Sequence, residues 1–236
     1  MKKITFLVLF LFGCLTLTAQ SIIGAWERDH RDKNGEAVKT TSIITVGHQV
    51  STTYNATTGE FISTTGGSYT LFGDTFTEMV EFDTENAERV GTEFSHKIAI
   101  NDKMMTFTAT GEHFTRIDDS TPGKLQGAWL MSGRVVDGKN QERATDGPRK
   151  TMKILSGTRF QWIAYNTETK QFMGTGGGTY STIDGVYIEN IDFFSRDNSR
   201  VGASLDFKFK LVDGKWHHSG LSSKGAPINE IWSLRK

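Results

Sequence analysis

Apolar residues recur along this chain at every second position in short runs, and seldom at the spacing of three and four that marks an amphipathic helix. Tyr187, Glu189, Ile191 and Phe193 fall on one side of such a run, and Leu205, Phe207, Phe209 and Leu211 on one side of another. Successive side chains of a strand point to opposite faces, so these sets are expected to look into a core together. Runs rich in Thr, Val, Ile, Phe, Tyr and Trp alternate with Gly, Asn and Asp turns, which predicts an all-β chain. In the C-terminal half the pattern predicts strands over residues 128–134, 151–155, 159–165, 178–183, 186–193, 203–212, 215–221 and 230–235. Asp184-Gly185 and Asp213-Gly214 are two-residue hairpin signals between them. Eight antiparallel strands joined in this way can close into a barrel and remove their exposed edges.

The pattern occurs twice. Residues 63–91 repeat at 174–202, 111 positions later, with Gly66, Gly67, Tyr69, Glu78, Phe82, Arg89, Val90 and Gly91 matched by Gly177, Gly178, Tyr180, Glu189, Phe193, Arg200, Val201 and Gly202. Phe76, Glu78, Val80 and Phe82 are accordingly expected on one inward face of the first copy. Phe94, His96, Ile98 and Ile100 match the run from Leu205 to Leu211, and Met105 and Phe107 match Trp216 and His218, so His218 is expected inward and His217 outward. Two eight-stranded antiparallel barrels in tandem follow, over residues 20–119 and 124–236, with a polar junction at 118–123.

The first 19 residues change the picture at one end. Lys2 and Lys3 precede an apolar run from Ile4 to Leu17 that ends at Leu-Thr-Ala, the three-part pattern of a cleaved export signal. It is too short for a spanning helix, which leaves no transmembrane segment expected and a periplasmic or secreted location. Cys14 sits in Leu-Phe-Gly-Cys, a loose match to a lipoprotein acylation site that Phe12 argues against. Without this segment the chain has no cysteine, hence neither disulfides nor a thiol nucleophile. Its 25 basic and 27 acidic residues give no charge excess that announces nucleic acid or an anionic membrane.

Gly24-Ala-Trp26 opens the first copy and Gly127-Ala-Trp129 the second, and each final strand carries an arginine, Arg116 and Arg235. A Gly-x-Trp before a small barrel ending in arginine resembles the lipocalin and fatty-acid-binding (calycin-like) pattern. The resemblance implies that the tryptophan plugs the barrel floor while the arginine stacks over it. The run RFQWIAYNTETKQFMGTGGGTY, then YIENIDFF, RVGASLDFKFKL and EIWSLR, is similar to secreted lipocalin-like proteins of Bacteroidota, often domains of unknown function that accompany polysaccharide-degrading enzymes. That setting implies, as a lead, dehydratase activity on uronic-acid-ended oligosaccharides of algal walls such as ulvan, leaving a 4,5-unsaturated sugar. An acidic oligosaccharide is then the expected partner.

Elimination of water beside a carboxylate needs a base for the carbon-bound proton, a cation for the carboxylate and an acid for the departing oxygen. The second copy offers His218 or Tyr180 as base, Arg159 as clamp, and Glu189 or Tyr187 as acid, with Trp162 and Trp232 as platforms for a sugar ring. A glutamate on an apolar face is expected to have a raised pKa, which suits an acid. No cofactor or metal is called for: His217 and His218 are adjacent in a strand and face opposite ways, so they do not share an ion. Familiar nucleophile, zinc and phosphate-loop motifs are absent, and the glycines of residues 174–178 lead into a strand, as a tight turn or a close backbone crossing would require.

Plainer roles compete with each of these. Glu78 and Glu189 recur together with Arg89 and Arg200 and can pair with them in the scaffold. Tyr69 and Tyr180 also recur, as core tyrosines do. Trp162 and His218, however, match Ser51 and Phe107, and these departures point to a site in the second copy that the first lacks. The first copy offers His48, His96 and the Arg28-His30-Arg31 cluster, and the cleft between barrels is a further place for a site. A binding protein without chemistry, or a structural surface protein, remains the alternative class.

Overall fold

A computed structural model describes residues 21–118, 121–222 and 224–235. The expected export segment with Cys14, and Asp119 and Ser120 of the expected junction, lie outside the described residues.

The first barrel is built from β1 (Gly24–Arg31), β2 (Ala37–Ile44), β3 (His48–Asn55), β4 (Phe61–Phe72), β5 (Thr75–Asp83), β6 (Glu93–Ile100), β7 (Met104–Phe107) and β8 (Glu112–Arg116). They pair in sequence order, and β8 returns to β1 to close the ring. The second contains β9 (Gly127–Val136), β10 (Lys139–Glu142), β11 (Arg149–Leu155), β12 (Arg159–Asn166), β13 (Gln171–Ile183), β14 (Val186–Phe194), β15 (Ser204–Val212), β16 (Lys215–Leu221) and β17 (Pro227–Leu234). Closure comes from β17 on β9, while β10 is a short extension hydrogen-bonded to the far end of β9. Both copies are therefore closed eight-stranded antiparallel barrels. Alternation had not shown β10, whose four residues are all polar and exposed.

Two expectations need correction, and one device explains both. Opposite Gly177 and Gly178 the register of β14 jumps from Phe193 to Ile191, leaving Asp192 as an extra residue. The first barrel repeats this at Gly66 and Gly67, where Glu81 is extra. Such a bulge reverses the alternation beyond it. Phe193 and Phe82 therefore face away from their own barrels, whereas Phe194 turns into the lumen of the second. The glycines belong to this geometry: a Cβ on Gly178 would strike the Asn190 carbonyl, and one on Gly67 the Met79 carbonyl. Residues 174–178 are thus the middle of β13, a close backbone crossing and no turn.

The outward phenylalanines bind the barrels together. Phe82 packs on Tyr165 at 4.8 Å between ring centroids, and Phe193 on Tyr54 at 5.0 Å. Tyr54 and Tyr165 are themselves equivalent under the 111-residue repeat, as are Phe61 and Phe172, whose rings stack on each other at 5.9 Å. Contacts exchanged between equivalent residues are the signature of an isologous two-fold interface, here within one chain. Ile43, Val50 and Phe82 share this buried layer with Met152, Ile154 and Ile163. That is why β11 and β12 are buried on both faces, with Lys153, Leu155, Phe160 and Trp162 on the other.

Arg116 lies over Trp26, 4.0 Å from its ring, as the resemblance implies. Its counterpart Arg235 instead crosses to the first barrel, where Nη2 is 2.6 Å from Glu81 Oε1 and Nη1 is 2.9 Å from Oε2. The extra bulge residue puts a carboxylate in reach that the first barrel's arginine does not meet.

Candidate functional site

The lumen of the second barrel holds a cavity of about 200 Å³. Its wall includes Lys153 from β11, Trp162 from β12, Glu189 from β14, His218 from β16, and Glu230 and Trp232 from β17. Alternation put Glu189 there between Tyr187 and Ile191, and His218 two places from Trp216 at the position that matches Phe107. Trp162 faces inward beside Phe194, at 5.5 Å between rings, because the bulge turned Phe194 in.

Glu189 is buried, and its partner is Lys153, whose Nζ donates to Oε1 at 2.6 Å. The expected pairing with Arg200 is not what forms: Arg200 binds Asp197 at 3.1 Å, and in the first copy Arg89 binds Asp83 at 2.9 Å. Arg200 follows the bulge, past the end of β14, and is not part of the cavity wall. Arg89 lines the first barrel's lumen and acts on Glu78 by its charge without forming an ion pair with it. The Lys153 ammonium is also ringed by aromatic faces, at 5.1 Å from Tyr187, 5.2 Å from Trp216, 5.5 Å from Trp232 and 5.7 Å from Phe207. A desolvated cation gains about 2 kcal/mol or more from such faces. With its one close carboxylate they let a lysine remain buried in a largely aromatic lumen.

Across from this pair, His218 Nδ1 lies 3.2 Å from Glu230 Oε2, which also accepts from Trp232 Nε1 at 3.2 Å. His218 is almost wholly buried, and its Nε2 has no hydrogen-bond partner among the described residues. Burial, reinforced by the nearby Lys153 charge, pushes its pKa below the ordinary histidine value and outweighs the opposing pull of Glu230. The imidazole is therefore neutral at neutral pH. Burial works against the Glu230 carboxylate, but the hydrogen bond from His218 and the Lys153 charge outweigh it and hold its pKa below the usual range.

The remaining sequence candidates lie elsewhere. Tyr187 is wholly buried behind the cavity wall, 5.7 Å from His218 between rings, and burial next to Glu189 pushes its pKa far up. Tyr180 is nearer the floor, where its hydroxyl donates to the Ser156 carbonyl at 2.6 Å; burial raises its pKa too. Arg159 faces the cleft between barrels beside Asp192, and so is apart from the cavity. The cation in the lumen is Lys153. Lys153 and Glu230 were missed although each had a signal: Lys153 alternates with Leu155, and Glu230 with Ile228 and Trp232. Among the described residues no group of three or more His, Cys, Asp or Glu is placed to hold a metal ion, and no helix is long and apolar enough to cross a membrane.

Residues 124–234, which contain this cavity, match the family model described as a domain of unknown function (DUF4488). The second barrel is similar to that family. No curated protein matches the chain at a significant level. The DUF4488 likeness spans β9 to β17 and hence every side chain of the Lys153–Glu189 and His218–Glu230 pairs.

Proposed function

We propose that the second barrel is the active site of an exported dehydratase, acting on the non-reducing-end uronic acid of an acidic, ulvan-like oligosaccharide. The observation that carries the reading is His218: a neutral, buried imidazole with Nε2 unpartnered, oriented by Glu230 and set opposite a buried lysine. Carboxylate, imidazole and a third group in line is the arrangement that prepares a base.

In this reading the sugar ring lies between Trp162 and Trp232, and its carboxylate approaches the Lys153 ammonium. His218 Nε2 takes the proton from the carbon beside that carboxylate. The released electron pair forms the C4–C5 double bond, the C4–oxygen bond breaks, and the hydroxyl leaves as water after taking a proton from Lys153 or from the new imidazolium. Glu230 stabilises the imidazolium charge, and Lys153 the charge developing on the carboxylate. Glu189, already in an ion pair, positions Lys153 and is not needed as the acid. The cavity has room for about one ring, which fits an enzyme that works on chain ends.

Purified protein incubated with glucuronate- and iduronate-ended oligosaccharides should gain absorbance in the conjugated-alkene band and lose the mass of one water. His218→Gln should abolish both signals while the fold persists. Unchanged substrates across that panel reject the reading.

A further inference from the structure

The first barrel has a lumen of its own, larger than that of the second at about 310 Å³. Two exchanges in its wall go with the larger size: Ser51 and Ser42 stand where the second barrel has Trp162 and Lys153. We propose that this lumen is a second binding site, taking a single neutral polyhydroxylated ring such as a sugar or cyclitol unit. The inference is independent of the chemistry assigned to the second barrel.

The two sides of the lumen differ in character. On β2 and β3 it presents hydroxyls in cross-strand pairs, Thr40 with Thr53 at 2.8 Å and Ser42 with Ser51 at 3.0 Å. Each hydroxyl has one donor and two acceptor sites, so every pair retains a donor and several lone pairs for a ligand. Gln49 and Glu78, joined at 2.5 Å, extend this polar side inward. Facing it are the rings of Phe76, Phe107 and Phe114, with Phe107 and Phe114 edge to face at 5.8 Å. A pyranose has the same division, with C–H faces that lie on aromatic rings and hydroxyls around its edge.

Other ligands fit less well. An acyl chain would desolvate the hydroxyl side without replacing its hydrogen bonds, which is costly for each group left unpaired. An anion would find the cations already engaged, Arg28 by Glu112 at 2.5 Å and Arg89 by Asp83 at 2.9 Å. It would also meet the buried Glu78 carboxyl.

Amide-shift mapping of the full protein against glucose, galactose, xylose, rhamnose, myo-inositol and decanoate tests this. At least one of the polyols should shift amides of β2, β3 and β7. Ser42→Ala should weaken that binding about fivefold, the worth of one hydrogen bond, and Ser51→Trp should abolish it by filling the lumen. If Ser51→Trp fails to fold, Phe107→Leu takes its place, with weaker binding expected. Shifts confined to the second barrel, binding of decanoate alone, or binding unaffected by Ser42→Ala would each overturn the proposal. His218→Gln does not touch this lumen, so loss of elimination and loss of this binding are separable.

Discussion

Arg235, at the end of the last strand, reaches Glu81 in the first barrel with Nη2 2.6 Å from Oε1, and the Tyr165 hydroxyl donates to the same carboxylate at 2.6 Å. The site and the interface between barrels share one strand, because β17 carries Glu230 and Trp232 into the lumen and Arg235 follows directly after its last residue. Removing one partner of a largely buried ion pair strands the other. Arg235→Ala should cost about 3 kcal/mol, read from urea unfolding. A Glu81→Gln, Arg235→Met double variant should recover part of the loss.

The same pair sets an acid limit. Burial alone would raise the Glu81 pKa, but the hydrogen bond and charge of Arg235 outweigh it and hold it below its ordinary 4.5. In the unfolded chain Glu81 therefore takes up its proton at higher pH than in the folded one. The stability it contributes is complete above pH 4.5 and lost as pH falls through the lower folded value. Unfolding free energies followed from roughly pH 3 to 7 should show this slope, and Glu81→Gln should flatten it.

His218 titrates in the opposite setting. Its pKa is lowered from 6.5 chiefly by burial and then by Lys153, so protonation disfavours the fold, beginning as pH drops below 6.5. As the base of the proposed elimination, it should give a kcat/KM that rises with pH to a plateau, with a midpoint under 6.5. A midpoint at or above that value would count against the assignment.

Lys153 and Glu189 should be strongly coupled. Lys153→Met leaves a buried carboxylate without its cation and should cost about 3–5 kcal/mol. Combined with Glu189→Gln the loss should shrink, giving a coupling energy of roughly 1–3 kcal/mol in a double-mutant cycle. Additive costs would show that the contact contributes nothing specific.

Two neighbouring glycines should respond unequally. Alanine at Gly178 meets the Asn190 backbone and must open the bulge, at a cost above about 2 kcal/mol. At Gly176 the new methyl meets the ring of Phe194 at 2.6 Å and that of Trp162 at 2.7 Å, both side chains able to shift. Gly176→Ala should therefore cost about 1 kcal/mol and move Trp162, visible as altered indole emission. Thermal melts of the two variants rank them directly.

Much of this was legible in the chain. Period-two patterning, hairpin dipeptides and the 111-residue repeat determined two tandem closed barrels, and alternation placed Glu189 and His218 inside. These are local properties: the side on which a strand residue points depends on its neighbours two places away. The tertiary structure alone decided the partners. Lys153 meets Glu189 because closure brings β11 and β14 to face each other across the lumen, and Arg235 meets Glu81 because a bulge pushes one residue out of register toward the other barrel. Phe82 and Phe193, inward by simple alternation, became interface residues for the same reason. A one-residue insertion reverses every side chain beyond it, and the curvature that selects a partner across a barrel arises only when all eight strands have closed.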